Sequence, residues 1–423
     1  MILTSKHSTQ LANTNKKHVL NDFIDEYRRV SSIILNDIWN NGYKEFNVKT
    51  NLNFSKYIDY NDFKIETILT ARALSSLVNQ LSGIIRASTE KQRKRLYVYN
   101  TKKESGTSKT SLKHLIKSIK QGNPVKPSVK HINPEISSKC ATFIKTNNSF
   151  NGFLKINSII KEQTPIYIPL KFHKHSNSLK DKGIMKGSFL VTKTHIELRW
   201  DIKEPEKKDT GVVVGADQGL KTVLSLATND YKQTTADKCI HGHSLESILY
   251  KLSRKKKGSN AFKKAQDHRT NFTNYVINRL DFNNIKELRL EKIINIGYKN
   301  NTTRLLSHWT NTIIRDKVEK KSILNGVHFV EQTCTYRSQR CYCCGMVYKS
   351  NRKGKLYECK GCGYINDSDI NAALNHSIDL PDIPWSLYKS KINRNGFYWS
   401  VTGFYNLDGA SIESALNKNS SCS

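Results

Sequence analysis

The sequence predicts an α/β fold of more than one domain, with a small cysteine-held ribbon set into its C-terminal half. Three observations carry this expectation. The apolar period changes from helical to strand-like near residue 150, short all-apolar runs end in acidic residues, and two Cys-x-x-Cys-Gly knuckles lie close together. A chain of 423 residues is long enough for two or three domains.

The helical period comes first. Leu20, Phe23, Ile24, Tyr27, Ile34 and Ile38 recur at spacings of three and four, with Asp25, Arg28, Arg29 and Asp37 elsewhere, which predicts an amphipathic helix over 20–39. A second is predicted between Ile65 and Arg93, where Ile68, Leu74, Leu77, Val78, Leu81 and Ile85 form the stripe. Ser111 to Gln121 repeats the pattern through Leu112, Leu115, Ile116 and Ile119, and Gly122 ends it. Core packing accounts for the stripes. On the outer face, Arg93, Lys94 and Arg95 are either a solvated surface or a wall for phosphates.

From about 150 to 204, Ile166, Ile168, Leu170 and Phe172 alternate with Tyr167, Pro169, Lys171 and His173, as residues on a half-buried strand do. Leu190, Thr192, Thr194, Ile196, Leu198 and Trp200 are expected to line one face of a second strand. The polar run 201–210 reads as a linker, with a domain boundary near 210. Beyond about 380 no period persists, and a flexible tail is expected there despite Trp385, Phe397, Tyr398, Trp399 and Phe404.

Lys and Arg number 69 against 36 Asp and Glu, leaving a net charge of +33 spread along the whole chain. Solubility needs far less, so the partner implied is a long polyanion, a nucleic acid. Hydrophobic residues make up only 37%, yet 19 Tyr, 15 Phe and 5 Trp supply bulk for several cores and argue against wholesale disorder. No apolar run approaches the roughly 18 residues of a membrane span, and Lys6 and His7 interrupt the start before any apolar stretch forms. The expected location is cytoplasmic, in contact with the nucleoid, with no membrane partner. Nine cysteines, five of them between Cys341 and Cys362, fit a metal site in a reducing compartment better than a disulfide framework.

Three acids stand at element ends. Gly211 to Ala216 is a short buried strand ending in Asp217, and Thr222 to Thr228 is the next strand of a hairpin. Ile285 to Leu290 ends in Glu291, after a basic helical stretch from Leu245 to Leu280 whose Lys255, Lys256 and Lys257 are further phosphate-wall candidates. Asp367-Ser-Asp369-Ile-Asn371-Ala-Ala-Leu-Asn375 puts Asp369 in the first turn of a helix. Alone, each acid is an ordinary turn former or N-cap. Together they can converge at one sheet edge, where carboxylates suit Mg²⁺. Two such ions about 3.5–4 Å apart activate a water and stabilise the leaving oxygen in phosphodiester hydrolysis. Neither a Ser/His/Asp or Cys/His set nor a Gly-rich phosphate loop is present, so ATP hydrolysis is not indicated.

The most specific local pattern is Cys341-Tyr-Cys-Cys344-Gly345 followed by Cys359-Lys-Gly-Cys362-Gly363. This spacing predicts a tetrahedral Cys₄ zinc site on a ribbon, with Cys341, Cys344, Cys359 and Cys362 as ligands and Cys343 as a bystander. A closed site of this kind braces structure and does not catalyse.

Taken together, Gly215-Ala-Asp217-Gln-Gly219, the strand ending in Glu291, Ser338-Gln-Arg-Cys341 with the ribbon, and Asp369-Ile-Asn371-Ala-Ala-Leu-Asn375 resemble the split RuvC nuclease of TnpB proteins and their relatives, the miniature type V CRISPR effectors. The likeness spans roughly 150 to 378 and is specific in its order, the ribbon falling between the second and third acids. The family often has aliphatic residues beside the first Asp, where Ala216 and Gln218 stand here, and an acid or amide where Lys292 follows Glu291.

The resemblance implies Asp217, Glu291 and Asp369 as catalytic ligands of two Mg²⁺ ions, replaceable by Mn²⁺, with Asp369 preferred to Asp367, and one structural Zn²⁺. It implies a split RNase H-like (RuvC) domain at 211–335 and 364–378, and a zinc ribbon at 336–363 that touches target nucleic acid. A wedge-like β-barrel at 1–60 and 125–205 would be interrupted by a helical recognition insert at 62–122, and a tail would follow at 379–423. The implied activity is RNA-guided DNA cleavage by a transposon- or CRISPR-encoded protein, with guide RNA and target DNA as partners and a homodimer as a further expectation. Two alternatives stand beside it. One is an RNA-guided DNA-binding protein that represses without cutting, which loss of an acid would favour. The other is an RNase H-like transposase, against which the ribbon before the third acid argues.

Overall fold

The structure, a computed structural model, describes residues 1–41, 65–104, 106, 125–293, 304–309 and 311–412. It divides into two units, 1–203 and 204–423. The helix expected at Ser111 to Gln121 lies outside the described residues.

In the first unit, β1 (Ile2–Ser8) leads into α1 (Thr14–Asn41), and α2 (Ala71–Glu104) follows. The stripes behave as their spacing requires: Leu20, Phe23, Ile24, Tyr27 and Ile34 of α1 and Leu77, Leu81 and Ile85 of α2 are buried. Tyr27 Oη donates to Gln80 Oε1 at 2.8 Å, tying the two helices together. The second helix starts later than expected. Ala73 N donates to Thr70 Oγ1 at 3.2 Å, marking the start of the helix, so Ile68 precedes it and is exposed while Leu69 is buried.

The rest of this unit is antiparallel sheet. β2 (Glu135–Ile136), β6 (Gly183–Val191) and β7 (His195–Ile202) join β1 in the order β1-β7-β6-β2. A second sheet is the meander of β3 (Ala141–Lys145), β4 (Gly152–Ile156) and β5 (Ile166–Leu170), with α3 (Lys174–Lys182) after it. The single strand expected from Leu190 to Trp200 is instead two. Thr192 Oγ1 donates to His195 O at 2.7 Å and accepts from His195 N at 2.9 Å, closing a turn that reverses the chain. The alternation resumes beyond it with Ile196, Leu198 and Trp200 buried. The two units part between Lys203 and Glu204, just after β7 ends at Ile202, where the sequence reading put a boundary near 210.

The second unit is built on one five-stranded sheet: β8 (Val212–Gln218), β9 (Leu224–Thr228), β10 (Tyr231–Thr234), β11 (Ile285–Lys292) and β12 (His328–Thr333), in the order β10-β9-β8-β11-β12. The pairs β8/β11 and β11/β12 are parallel, and β9 and β10 add antiparallel. Successive strand residues face opposite sides. Val214, Ala216, Leu288 and Leu290 therefore join one core with α4 (Leu245–Ser253), α5 (Asn260–Asn278) and α6 (Asn311–Leu324). Gly215, Asp217, Arg289 and Glu291 face the other side, covered by α7 (Ser368–Ser377).

The expected continuous helix from Leu245 to Leu280 is broken between α4 and α5. Gly258 adopts φ +87° there, and the Ser259 hydroxyl caps α5, leaving Lys255, Lys256 and Lys257 on the connecting loop. Within the expected tail, residues 379–412 depart from expectation, while 413–423 lie outside the described residues. α8 (Trp385–Lys389), β17 (Phe397–Ser400) and β18 (Gly403–Tyr405) are ordered, because β17 pairs with the ribbon strand β13 (Met346–Val347) and buries Phe397, Trp399 and Phe404 in a core with Leu380 and Leu387. The ribbon hairpins β14 (Arg352–Lys353), β15 (Leu356–Glu358) and β16 (Ile365–Asp367) form a further sheet.

Candidate active site and metal centres

The parallel register builds the acid site. Ala216 pairs with Leu290 and Glu291 with Gln332, so Asp217, Glu291 and Gln332 stand level near the C-terminal ends of three neighbouring parallel strands and on the side facing α7. This is the end of a parallel sheet at which α/β folds open their clefts. Gln218 N donates to Glu291 Oε1 at 2.7 Å and fixes that carboxylate.

Helix α7 brings the third acid. Asp367 is its N-cap: Oδ1 accepts from Asp369 N at 2.8 Å and Ile370 N at 3.1 Å, and the side chain is thereby spent on the helix start. Asp369 in the first turn is buried, and Gly219 runs beside it. The helix can sit this close because Gly215 has no side chain; a Cβ there would lie 1.9 Å from Ala373 O.

Asp217, Glu291 and Asp369 line one cavity of about 530 Å³. Burial, then the neighbouring carboxylates of Glu291 and Asp369, push the Asp217 carboxyl well above the usual carboxylate range. Burial likewise lifts Glu291 to about 7, against the opposing hydrogen bond from Gln218 N–H. Two buried carboxyls side by side, with a third acid lining the same cavity, make an oxygen-rich donor set that fits a divalent metal. Positive charge reaches the cavity from the ribbon. Arg352 Nη2 donates to Asp369 Oδ1 at 3.2 Å, and Lys355 Nζ contacts Asp369 Oδ2 and donates to Thr222 Oγ1 at 2.8 Å.

His376 also lines this cavity, and sequence reasoning missed it. One ring nitrogen and one oxygen each of Asp217 and Glu291 lie within 4.8 Å of one another. The ring is buried, which holds the imidazole well below its ordinary pKa and leaves it neutral. The available signal was its position two turns after Asp369 on the same helical face. Arg352 and Lys355 were missed as well, because a ribbon hairpin gives no sequence hint of where it reaches.

The four expected cysteines come together: Cys341 and Cys362 Sγ are 3.7 Å apart, Cys344 and Cys359 Sγ 3.6 Å, and all four sulfurs fall within 4.8 Å of one another. Cys343 is exposed and outside this set. Gly345 and Gly363 take φ +79° and +73°, the turn each knuckle needs. Burial, with the neighbouring thiols adding to it, raises Cys344 to about 11. Four thiols at this spacing fit Zn²⁺.

The Asn-Ala-Ala-x-Asn run ties ribbon to helix. Asn371 Nδ2 and Asn375 Nδ2 donate to Arg340 O at 2.9 and 2.8 Å, and Asn371 Oδ1 accepts from Tyr342 N at 3.2 Å. Of the basic candidates, Arg93 and Lys94 are exposed on α2 and share Glu90, at 2.7 and 3.9 Å, while Arg95 is half-buried. Lys256 and Lys257 are exposed and Lys255 half-buried. No helix among the described residues is long and apolar enough to cross a membrane.

Residues 312–376 match the family described as Cas12f1-like, TNB domain. A stretch of 143 residues is 27% identical to the CRISPR-associated endodeoxyribonuclease Cas12f1 of Sulfoacidibacillus thermotolerans, covering 34% of this chain and 32% of that protein. Another of 63 residues is 35% identical to the Cas12f1 of Syntrophomonas palmitatica, covering 15% of this chain and 13% of that one. The chain thus spans a third or less of the length of these curated relatives. Among solved structures, a Cas12f1-sgRNA-target DNA complex aligns over 89% of this chain and 99% of that chain at TM-score 0.46 and 14% identity. The mini-RNA-guided endonuclease CRISPR-Cas_phi3 aligns over 55% and 59% at TM-score 0.36 and 9% identity.

Proposed function

From the similarity of part of this chain to Cas12f1 proteins, we infer that it is an RNA-guided DNA endonuclease of the RuvC type, from the miniature type V CRISPR effectors and their TnpB-like relatives. The observation that carries the reading is the convergence of the buried acids Asp217, Glu291 and Asp369, from two parallel strands and one helix start, on a single open cavity. The matched relatives are named endodeoxyribonucleases, and a net charge of +33 suits a protein wrapped on RNA and DNA backbones.

Asp217, Glu291 and Asp369 would hold two Mg²⁺ ions, which lower the pKa of a bound water and stabilise the leaving 3′ oxygen. The chain's own groups supply the rest. Gln218 N–H holds Glu291 in place, and the N-terminal end of α7 favours negative charge beside Asp369. Arg352 and Lys355 present cations to a phosphate entering the cavity. The Cys₄ cluster would hold one Zn²⁺ that braces the ribbon carrying those two side chains. The N-terminal unit, read as wedge and recognition insert, grips guide RNA and the DNA flank. A homodimer belongs to the same proposal, read by light scattering of the RNA-bound protein.

The test is plasmid cleavage by the full chain with its co-purified RNA and Mg²⁺. Asp217→Ala, Glu291→Ala and Asp369→Ala are each expected to abolish cutting while RNA and target binding survive. Tight guide-directed binding without cutting by the unaltered protein would overturn the nuclease reading.

A further inference from the structure

His376 is the buried titratable group that the three-carboxylate reading leaves without a task. Its placement follows from the fold. Gln332 is level with Glu291 across β11 and β12, and its Oε1 lies 3.4 Å from His376 Nδ1. With Oε1 accepting from Nδ1–H, the lone pair of the neutral imidazole is on Nε2. The pairing of a ring N–H with an amide or carboxylate oxygen is the usual support of a metal-ligating histidine. The ring offers a nitrogen within 4.8 Å of carboxylate oxygens of Asp217 and Glu291, and all three residues are buried. Asp369 is engaged elsewhere, by Arg352 and Lys355.

We propose that His376 is a direct ligand of the divalent cation held by Asp217 and Glu291, making that position a mixed nitrogen and oxygen site while the position nearer Asp369 is ligated by oxygen alone. Gln332 is then a positioning residue that orients the ring. This rests on the acid-site reading above. A neutral imidazole adds little for Mg²⁺, which takes hard oxygen ligands, and more for a transition cation. The two positions therefore differ in preference, and Mn²⁺ fills the Asp217–Glu291–His376 position ahead of Mg²⁺.

The experiment uses Mn²⁺ as the probe on the full-length, zinc-loaded protein. Pulsed electron paramagnetic resonance of one equivalent of bound Mn²⁺ is expected to show the nitrogen modulation of a coordinated imidazole. That modulation should change to the ¹⁵N pattern when the protein is made with ¹⁵N-histidine, a readout that needs no variant. In His376→Leu, checked for folding by its melting transition, the modulation should vanish and Mn²⁺ affinity should fall about 10–100-fold, with Mg²⁺ affinity changing less. Mn²⁺ bound with no imidazole modulation, or modulation that persists in His376→Leu, overturns the proposal and leaves the carboxylate site standing. Mn²⁺ binding unaffected by Asp217→Asn would instead sink the acid-site reading, and this inference with it.

Discussion

Arg340 and Asn375 exchange hydrogen bonds in both directions: Arg340 Nη1 donates to Asn375 Oδ1 at 2.6 Å, and Asn375 Nδ2 donates to Arg340 O at 2.8 Å. One residue immediately precedes the first Cys-x-x-Cys knuckle and the other lies on the helix that carries Asp369. The pair is buried, so neither partner has water to fall back on. Asn375→Leu should cost about 1–3 kcal/mol, the penalty of stranding buried polar groups. It should also lower cleavage, although Asn375 does not line the acid cavity. Urea unfolding and a cleavage time course on the same preparation check both parts.

Two glycine substitutions should move stability in opposite directions. A Cβ on Gly215 meets Ala373 O and Ser377 N at 1.9 and 2.4 Å, whereas Gly83 within α2 has nothing within 4 Å. Gly215→Ala should destabilise by about 1–3 kcal/mol or more, because backbone must move. Gly83→Ala should stabilise by about 0.5–1 kcal/mol through lost unfolded-state freedom. Melting curves of both variants decide it; a neutral Gly215→Ala would mean α7 does not sit tightly on β8.

The two closing aspartates should separate cleanly. Asp367→Ala removes an N-cap and should cost about 0.5–2 kcal/mol, with cutting retained below the melting point. Asp369→Asn keeps the shape of the side chain and should lose cutting. Near-normal cleavage by Asp369→Asn would move the third ligand elsewhere.

Zinc analysis tests the ribbon. Protein purified without chelator should carry about one zinc per chain. Cys341→Ser, Cys344→Ser, Cys359→Ser and Cys362→Ser should each lower that figure and destabilise the ribbon, while Cys343→Ser should leave it unchanged. Fully active, metal-free protein would refute the assignment.

Charge on α2 is testable through salt. Each phosphate contact releases counterions, so replacing Arg93, Lys94 and Arg95 with Ala should weaken RNA binding and flatten the log-log salt slope by up to about 2–3 units. Arg93 and Lys94 already share Glu90, so Glu90→Gln should strengthen binding if that patch touches RNA. An unchanged slope would assign the patch to the solvated surface.

Asp217 and Glu291 were legible because a short apolar run that ends in an acid marks both the direction and the end of a strand. The ribbon was legible because two Cys-x-x-Cys-Gly knuckles close together have the spacing that a four-cysteine metal site requires. Other features were not, for local reasons. Thr192 ends β6 through its hydroxyl, within a run whose alternation reads as continuous strand. The order of Phe397 to Tyr405 comes from pairing with Met346 and Val347, a partner that no local period announces. His376 sits in an Ala- and Asn-rich helix, where composition hides which face meets the sheet.

The position of α7 in the chain sets when the site can come into being. A growing chain emerges N-terminal end first, so Asp217 and Glu291 are made well before the ribbon and before Ser368–Ser377. Until that helix has cleared the ribosome and docked, the nascent protein has two acids, no third carboxylate and no buried imidazole beside them. The three-carboxylate cavity is thus missing from every copy that stops short of Asp369. Closing contacts this distant in sequence is also a slow step in folding.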